Sequence, residues 1–491
     1  MAESGGPEQR IREAVESGTA VDLRSGDAAA DDPALGGEWG EERTVPAALL
    51  RELLLGAGGG ALRLAGARIT GRLDLADTTV ARGLHLEGCH FEQPLLLRGA
   101  VMRSTGLVRC RLPGLDGWLL RVDGNLFFED SVIDGRLTLT RAHITGELRL
   151  SGVRLTAPEL SEGPAEHGAW ALWAGGLVME GGCFARKGFV SRGGLRLVGA
   201  QFNGGLFVER ARIENPGGDA LTGDDLSAST LVLDGLTADG ALRLPGATVR
   251  SRLSLDAAVL GGAPVALEAN RLRAGELRLT VAQPPAGTVD LQEAQVGVVE
   301  DNGHTWPADS RLDGFVYTSL HLPPGGVEPV ARRIAWLEAL PGYAPQPYEQ
   351  LAAWYRKIGH DDDARRVLLA KQRRRRRTLS PLGRVWGRLL DVTVGYGYRP
   401  WQAAVWLAVL VAAGATVFAH GQPTQTQPGQ GAPFNPVVYT LDLLIPIGGF
   451  GQRTAWYWSD YHQWVGYGLV GAGWLLTTAA LAGVTRALNR A

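Results

Sequence analysis

The sequence predicts a mainly β protein: a right-handed quadrilateral β-solenoid with half-coils of about 11 residues, then a short helical segment and a two-helix transmembrane region. Three observations predict it. Leu-x-Leu returns about every 11 residues, from Leu62/Leu64, Leu73/Leu75, Leu84/Leu86 and Leu95/Leu97 to Leu231/Leu233, Leu242/Leu244 and Leu253/Leu255. Glycine is abundant, at 68 of 491 residues, as many tight corners require. The C-terminal part carries two runs of roughly twenty apolar residues, Trp401–Ala419 and Val465–Val484.

Residues 1–58 read as a helical N-terminal cap. Pro7–Ser17 is amphipathic, and Val45–Leu55 reads as a second helix with Thr44 as N-cap and Gly56 as stop. A helix here shields the open end of a strand stack from edge-to-edge pairing. The solenoid is expected over 59–322. Its apolar centres Ile69, Leu75, Val80, Leu86, Phe91, Leu97 and Met102 are spaced alternately by about six and five residues. Ala67, Leu73, Thr78, Leu84, Cys89, Leu95 and Ala100 sit two positions earlier. Period-two alternation turns each such pair inward and the residue between them outward. Four faces per coil of about 22 residues follow, a pattern that resembles the pentapeptide-repeat solenoids in degenerate form. About ten coils, ~4.8 Å apart, make a rod on the order of 50 Å long. Leu96, Phe127 and Phe207 are outward apolar candidates for contact with a partner. Residues 156–175 interrupt the pattern and read as a loop with Trp170 and Trp173 packing back; regularity fades after about residue 300.

The period changes over 327–377. VEPVARRIAWLEAL, PYEQLAAWYRKIG and DDDARRVLLAKQRRRRR are helical, and the pattern Tyr348, Leu351, Ala352, Tyr355, Gly359, Ala364 resembles one tetratricopeptide unit. A lone unit cannot stand by itself, so it is expected to pack on the end of the solenoid. Residues 378–400 read as an amphipathic, interfacial segment. Residues 401–419 and 464–485 are the expected spans, and 420–463 the loop between them. Lys371, Arg373, Arg374, Arg375, Arg376 and Arg377 precede the first span, and Arg486 and Arg490 follow the second, whereas the connecting loop has one positive residue, Arg453. The positive-inside rule therefore puts both termini and the solenoid on the cytoplasmic face of the inner membrane. The basic run is expected to meet anionic lipid headgroups rather than nucleic acid. Small-residue stripes at Ala404, Ala408 and Ala412, and at Gly468 and Ala472, are candidate helix-packing faces, and a homo-oligomer is compatible with them.

Several motifs carry chemistry-bearing residues. Gly56-Ala-Gly58-Gly-Gly-Ala61 has dinucleotide-binding spacing, but a helix precedes it and a strand follows, the reverse of what places a pyrophosphate on a helix N-terminus. Thr393–Gly397 spells a potassium-filter string, yet lies before the first span instead of between spans. VVYTLDLLIPI within Phe434–Gln452 is too short to span and reads as either interfacial or re-entrant. Its Asp442 and the following Gly448, Gly449 and Gly451 are the pore candidates. His85, Glu87 and His90 fit a surface charge ladder with Arg63 and Arg109, and His360 with Asp361–Asp363 fits a helix start. Cys89, Cys110 and Cys183 form no framework, which points to a reducing compartment, and the polar N-terminus lacks a secretory leader pattern. The formal net charge of −2 names no partner.

The segments VDLRSG and GEWGEERTV, the repeats ITGRLDL and ITGELRL, PYEQLAAWYRKIGHDDDARRVLLAKQRRRR and TVGYGYRPWQA together resemble a large actinobacterial family of two-span membrane proteins, often labelled membrane-associated oxidoreductases. The resemblance covers nearly the whole chain. It implies a membrane location and, through the label, a redox activity, but carries over no catalytic residue. The residues themselves provide no haem-attachment motif and no redox cysteine pair, so no cofactor or metal is named. The function expected is a membrane-anchored cytoplasmic scaffold for an unidentified protein partner. A pore with a sensor solenoid and a redox enzyme are the alternatives.

Overall fold

The structure, a computed structural model, describes residues 6–488 apart from 57, 59, 159–168, 263, 322–329, 382, 385–387, 389–400, 428, 430, 431 and 446–448; the side chains of 401, 403 and 479–488 also lie outside the description. The chain divides into two units, Met1–Gln350 and Leu351–Ala491.

The first unit is a parallel β-solenoid. Each coil feeds four ladders, two in each of two sheets. One inward ladder runs unbroken through Leu62, Leu84, Thr105, Leu126, Leu148, Cys183, Leu206, Leu231, Leu253, Leu277, Val299 and Leu320. These are twelve rungs, more than the ten expected, and the ladder continues past residue 300 because Val299 and Leu320 keep its inward positions. A second ladder stacks Leu95, Leu115, Leu137, Leu172, Leu195, Leu221, Leu242, Leu267 and Val289. Leu172 belongs to the strand Trp170–Trp173, so part of the expected loop is a rung. Trp173 faces outward beneath the Arg136 guanidinium, 4.3 Å from its ring centroid, instead of packing back on the core.

Why the coils stack is visible in the burial. The inward residues are almost wholly buried, including Phe91, Phe128 and Phe202. In one isolated coil they would face water, so neighbouring coils are required. Corners recur in register: Gly88, Arg109, Asp130, Gly152, Lys187 and Arg210 all take positive φ at equivalent places in successive coils. The backbone turn is therefore imposed by the ladder even where the residue is not glycine. At another corner a side chain on Gly181 would run into the carbonyl of Gly146 in the coil before it. Outward charges pair along the rod axis, one coil to the next: Arg98–Asp116 at 2.7 Å, Arg111–Asp134 at 2.6 Å, Arg186–Glu209 at 3.0 Å and Arg278–Glu300 at 2.8 Å. Each such exposed pair contributes only about 0–1 kcal/mol, so they set charge order rather than stability.

Both ends of the stack are closed. At the start, α1 (Pro7–Ser17) and α2 (Ala47–Leu55) cover the first coil. Thr44 is not an N-cap: Thr44–Pro46 is a strand paired with Arg68–Thr70, and Val21–Asp22 pairs with Leu64–Ala65. The cap thus extends the ladders before it covers them. Gly56 ends α2 at φ −63, without a left-handed turn. Arg43 is buried here, donating to the Gly66 carbonyl at 2.8 Å and to Asp31 at 2.9 Å, with its guanidinium 3.5 Å from the Trp39 ring centroid. At the other end α3 (Val330–Ala339) repeats the device. Arg333 makes two bonds to buried Asp301, at 2.9 and 2.7 Å, and lies 4.9 Å from the Trp306 ring, which stacks on Trp336. Helix α4 (Gln346–Lys357) begins by bonding the last coil: the Gln346 and Gln350 amides donate to the Phe315 and Tyr317 carbonyls.

The second unit is helical. Buried Leu351, Ala352 and Tyr355 of α4 and Ala364, Val367 and Leu368 of α5 (Asp361–Arg377) carry the expected helical pair, with Gly359 at φ +81 in the turn. Then come α6 (Trp401–Ala419), α7 (Pro436–Leu444), α8 (Gln452–Ala455) and α9 (Tyr461–Leu488). The helices α6 and α9 coincide with the expected spans, but among the described residues no helix is long and apolar enough to cross a membrane.

Phe128 has no exposure, whereas Phe127 on the same strand faces out. Replacing Phe128 by Ala should cost about 3–5 kcal/mol in urea unfolding, and Phe127→Ala about 1 kcal/mol or less. Arg333→Met should cost about 3–5 kcal/mol by stranding Asp301, and Arg333→Met with Asp301→Leu should recover most of that loss.

Candidate interaction surface

Outward residues of the first sheet form a ladder of their own. Arg63, His85, Gly106, Phe127, Arg149, Phe184, Phe207 and Val232 follow one another in register. Its centre is a stack. The Arg149 guanidinium lies 5.1 Å from the Phe127 ring, and Phe184 stacks on Phe207 at 5.2 Å with planes 12° apart. Arg186 lies 4.8 and 4.9 Å from those two rings. The groove beside the stack has a volume of about 490 Å³ and is lined by Val108, Glu129, Asp130, Glu147, Arg149, Ser151, Phe184, Arg186 and Lys187. Three carboxylates and three cations line it, so it has no net sign. Arg149 is held by Glu147 at 2.8 Å, and Arg186 by Glu209 at 3.0 Å. This surface suits a partner that brings both apolar and polar groups.

Phe127 and Phe207 were legible as outward residues and belong to this stack, whereas Leu96 lies on the other sheet, between Asp74 and Asp116. Arg149, Phe184 and Arg186 were missed. The insertion between Leu155 and Leu172 lengthens one coil, so Arg149 and Phe184 are 35 positions apart though adjacent in register. Aligning the strands on either side of that insertion would have found them.

The other candidates disperse. His85 and Glu87 face out from one sheet and His90 from the other, its Nδ1 2.9 Å from the Pro33 carbonyl oxygen. Glu87 pairs with Arg24 and Arg109. Among the described residues no three His, Cys, Asp or Glu side chains gather as a metal site. The glycines at 58 and 60 have a local use: the Arg82 guanidinium donates to the Gly60 carbonyl and occupies the space a side chain on Gly58 would need. The string 393–397 lies outside the described residues. Cys89, Cys110 and Cys183 are free thiols in the core, and burial pushes Cys110 up and Cys183 up to about 12.

In the helical unit α7 is wedged between α6 and α9, not laid on the outside. A side chain on Gly414 would overlap Thr440, and one on Gly473 would overlap the Leu444 backbone. The expected packing residues Ala404, Ala408, Ala412 and Gly468 are exposed and Ala472 is half-buried. The wedge decides this, because close backbone approach occurs where α7 passes, at Gly414 and Gly473. Asp442 is fully buried and accepts from the backbone N–H of Phe450 at 3.0 Å and of Arg453 at 2.9 Å. Gly449 lies near that carboxylate, Gly451 turns at φ +74 ahead of α8, and Gly448 is outside the described residues. On α5, Arg373, Arg375 and Arg377 are exposed while Lys371, Arg374 and Arg376 are half-buried, and Asp361–Asp363 occupy the opposite end.

Comparison with protein-family models, with curated proteins and with solved structures gives no match. The reading of function therefore rests on this geometry.

With all three thiols buried, a thiol-reactive dye should titrate essentially none of them in the native chain at pH 8. It should titrate all three after denaturation, and a native titre of one or more would contradict the packed core.

Proposed function

We propose that the chain is a membrane-seated scaffold, with the solenoid as the surface that binds a protein partner and the helical unit as its anchor. One observation carries the reading: the helical unit packs an apolar core and still exposes large apolar side chains. Val405, Val409, Trp464, Tyr467 and Trp474 are exposed, Trp464 at 75% and Trp474 at 61%. In water such exposure is unfavourable. In a bilayer it becomes favourable, and the buried Thr440, Asp442 and Gln452 keep the hydrogen bonds they make inside the bundle. Among the described residues no helix is long and apolar enough to cross a bilayer, so the anchor is read from the exposed apolar side chains of the bundle as a whole.

The basic end of α5 supplies the second half of the anchor. Arg373, Arg375 and Arg377 offer cations to anionic headgroups, worth ~1 kcal/mol per residue near the surface. The few positive residues between α6 and α9 support placing the solenoid on the cytoplasmic side. Four ladders per coil support the quadrilateral class, and the handedness of parallel crossovers supports a right-handed rod. Asp442 is engaged by two backbone donors inside its own unit, which favours an anchor over a pore lined by that carboxylate.

Flotation on vesicles tests the reading. The full chain should rise with both neutral and anionic vesicles. Replacing Arg373 to Arg377 by Gln should weaken binding to anionic vesicles at least tenfold and leave neutral ones unchanged. A chain that stays at the bottom of the gradient without detergent would overturn the proposal.

A further inference from the structure

The segment between α6 and α9 is tied in a way that an interfacial helix does not need. Its two ends are joined. The Gln452 side-chain oxygen accepts from the Asn435 N–H at 3.2 Å, and its amide nitrogen donates to the Pro433 carbonyl at 3.0 Å. Between those ends α7 runs inward. Asn435 caps its first turn, accepting from the N–H groups of Val437 and Val438. Tyr439 meets Phe418 in the last turn of α6, with centroids 4.9 Å apart, and Leu444 reaches Gly473 of α9. Gly473 is 12 residues beyond Tyr461, about 18 Å along that helix at ~1.5 Å per residue. The chain then comes back: Phe450 and Arg453 present their N–H groups to Asp442, one turn or less before the end of α7.

We propose that α7 is the inward limb of a re-entrant membrane element: it enters the hydrocarbon from the side of the 420–463 loop, and Gly449–Gln452 stand on the return to that same side. The assignment rests on the membrane reading above. It gives the buried carboxylate of Asp442 a physical role. Non-helical backbone at membrane depth must have its hydrogen bonds met within the protein, at a cost of several kcal/mol for each group left unmet. Asp442 accepts from the N–H of Phe450 on the returning chain and from that of Arg453 in the first turn of α8, where helix N–H groups lack partners, and Gln452 meets a donor and an acceptor where the two ends come together. The close approach at Gly414 and Gly473 fits the same role, because a half-length helix is held at depth only by its neighbours. It also separates this segment from a surface-lying amphipathic helix, whose buried face would meet lipid instead of α6 and α9.

Spin labels in the full chain, reconstituted into vesicles, test the depth. Val437→Cys, Ile445→Cys and Phe450→Cys are labelled one at a time, and collision rates with oxygen and with a water-soluble nickel complex are compared. Ile445 should read at least 8 Å deeper than Val437, with Phe450, whose N–H bonds Asp442, between the two. Ile445 at the depth of Val437 would make α7 a surface helix and overturn the proposal, and Phe450 deeper than Ile445 would mean the chain does not return. Gly473→Leu is the second variant. It removes the space that Leu444 occupies, and should bring Ile445 toward the surface while the β signal of the solenoid in circular dichroism stays. No movement of Ile445 in that variant would count against the wedge. The wild-type chain separates the two levels of the argument: unquenched Trp464 and Trp474 fluorescence in vesicles of brominated lipid would sink the membrane reading itself, whereas quenched tryptophans with a shallow Ile445 would sink only the re-entrant element.

Discussion

A parallel coil of about 22 residues has nowhere to bury its inward side chains except against the coil before and the coil after. The rest of the solenoid follows from that constraint. The ladders must stay in register, so corners repeat, and positive-φ backbone appears at Arg109, Asp130, Lys187 and Arg210 as readily as at glycine. Outward charges must be tolerable beside their counterparts one coil on, and they pair along the axis as arginine with aspartate or glutamate. The two end coils lack a neighbour, and each end answers in the same chemistry: a buried arginine, an aspartate paired with it and a tryptophan ring under the guanidinium. Desolvating those charges is unfavourable alone, but the bidentate geometry at Arg333 offsets it and fixes where the stack stops.

The inward ladders were legible because burial enforces them: Leu-x-Leu at 62, 84 and 148, and Leu-x-Phe at 126, can be read directly. What was not legible depended on register or on a third element. Thr44 looked like a helix cap because the sequence does not reveal that an N-terminal strand will pair with Arg68–Thr70. The Arg149–Phe184 neighbourhood was hidden by an insertion that changes spacing along the chain but not in space. The ladder beyond residue 300 was hidden because Val299 replaces leucine there while the backbone pairing persists. Small residues on α6 were easy to count, yet which of them is a contact is decided by α7, and the contact fell on Gly414 instead of Ala404, Ala408 or Ala412.

The two units share an apolar interior and differ at their surfaces. The solenoid displays paired charges. The helical unit displays tryptophan, tyrosine and valine. That surface contrast is what the membrane proposal rests on. It also explains why composition alone was uninformative: a mean over both units erases the contrast, and the net charge of −2 describes neither. The stack of Phe127, Arg149, Phe184 and Phe207 is where the solenoid departs from its own rule, with aromatic rings facing outward under guanidinium groups. Three rings and two arginines cover one another there, so this surface is ordered by its own contacts.

Hydrogen exchange of the whole chain, read by mass spectrometry at peptide resolution, tests the coil-stacking account most directly. Stacked parallel ladders predict strong protection of the described strands from Leu62 to Leu320, weakest in the terminal coils. Rapid exchange across the central coils, between residues 126 and 255, would contradict it.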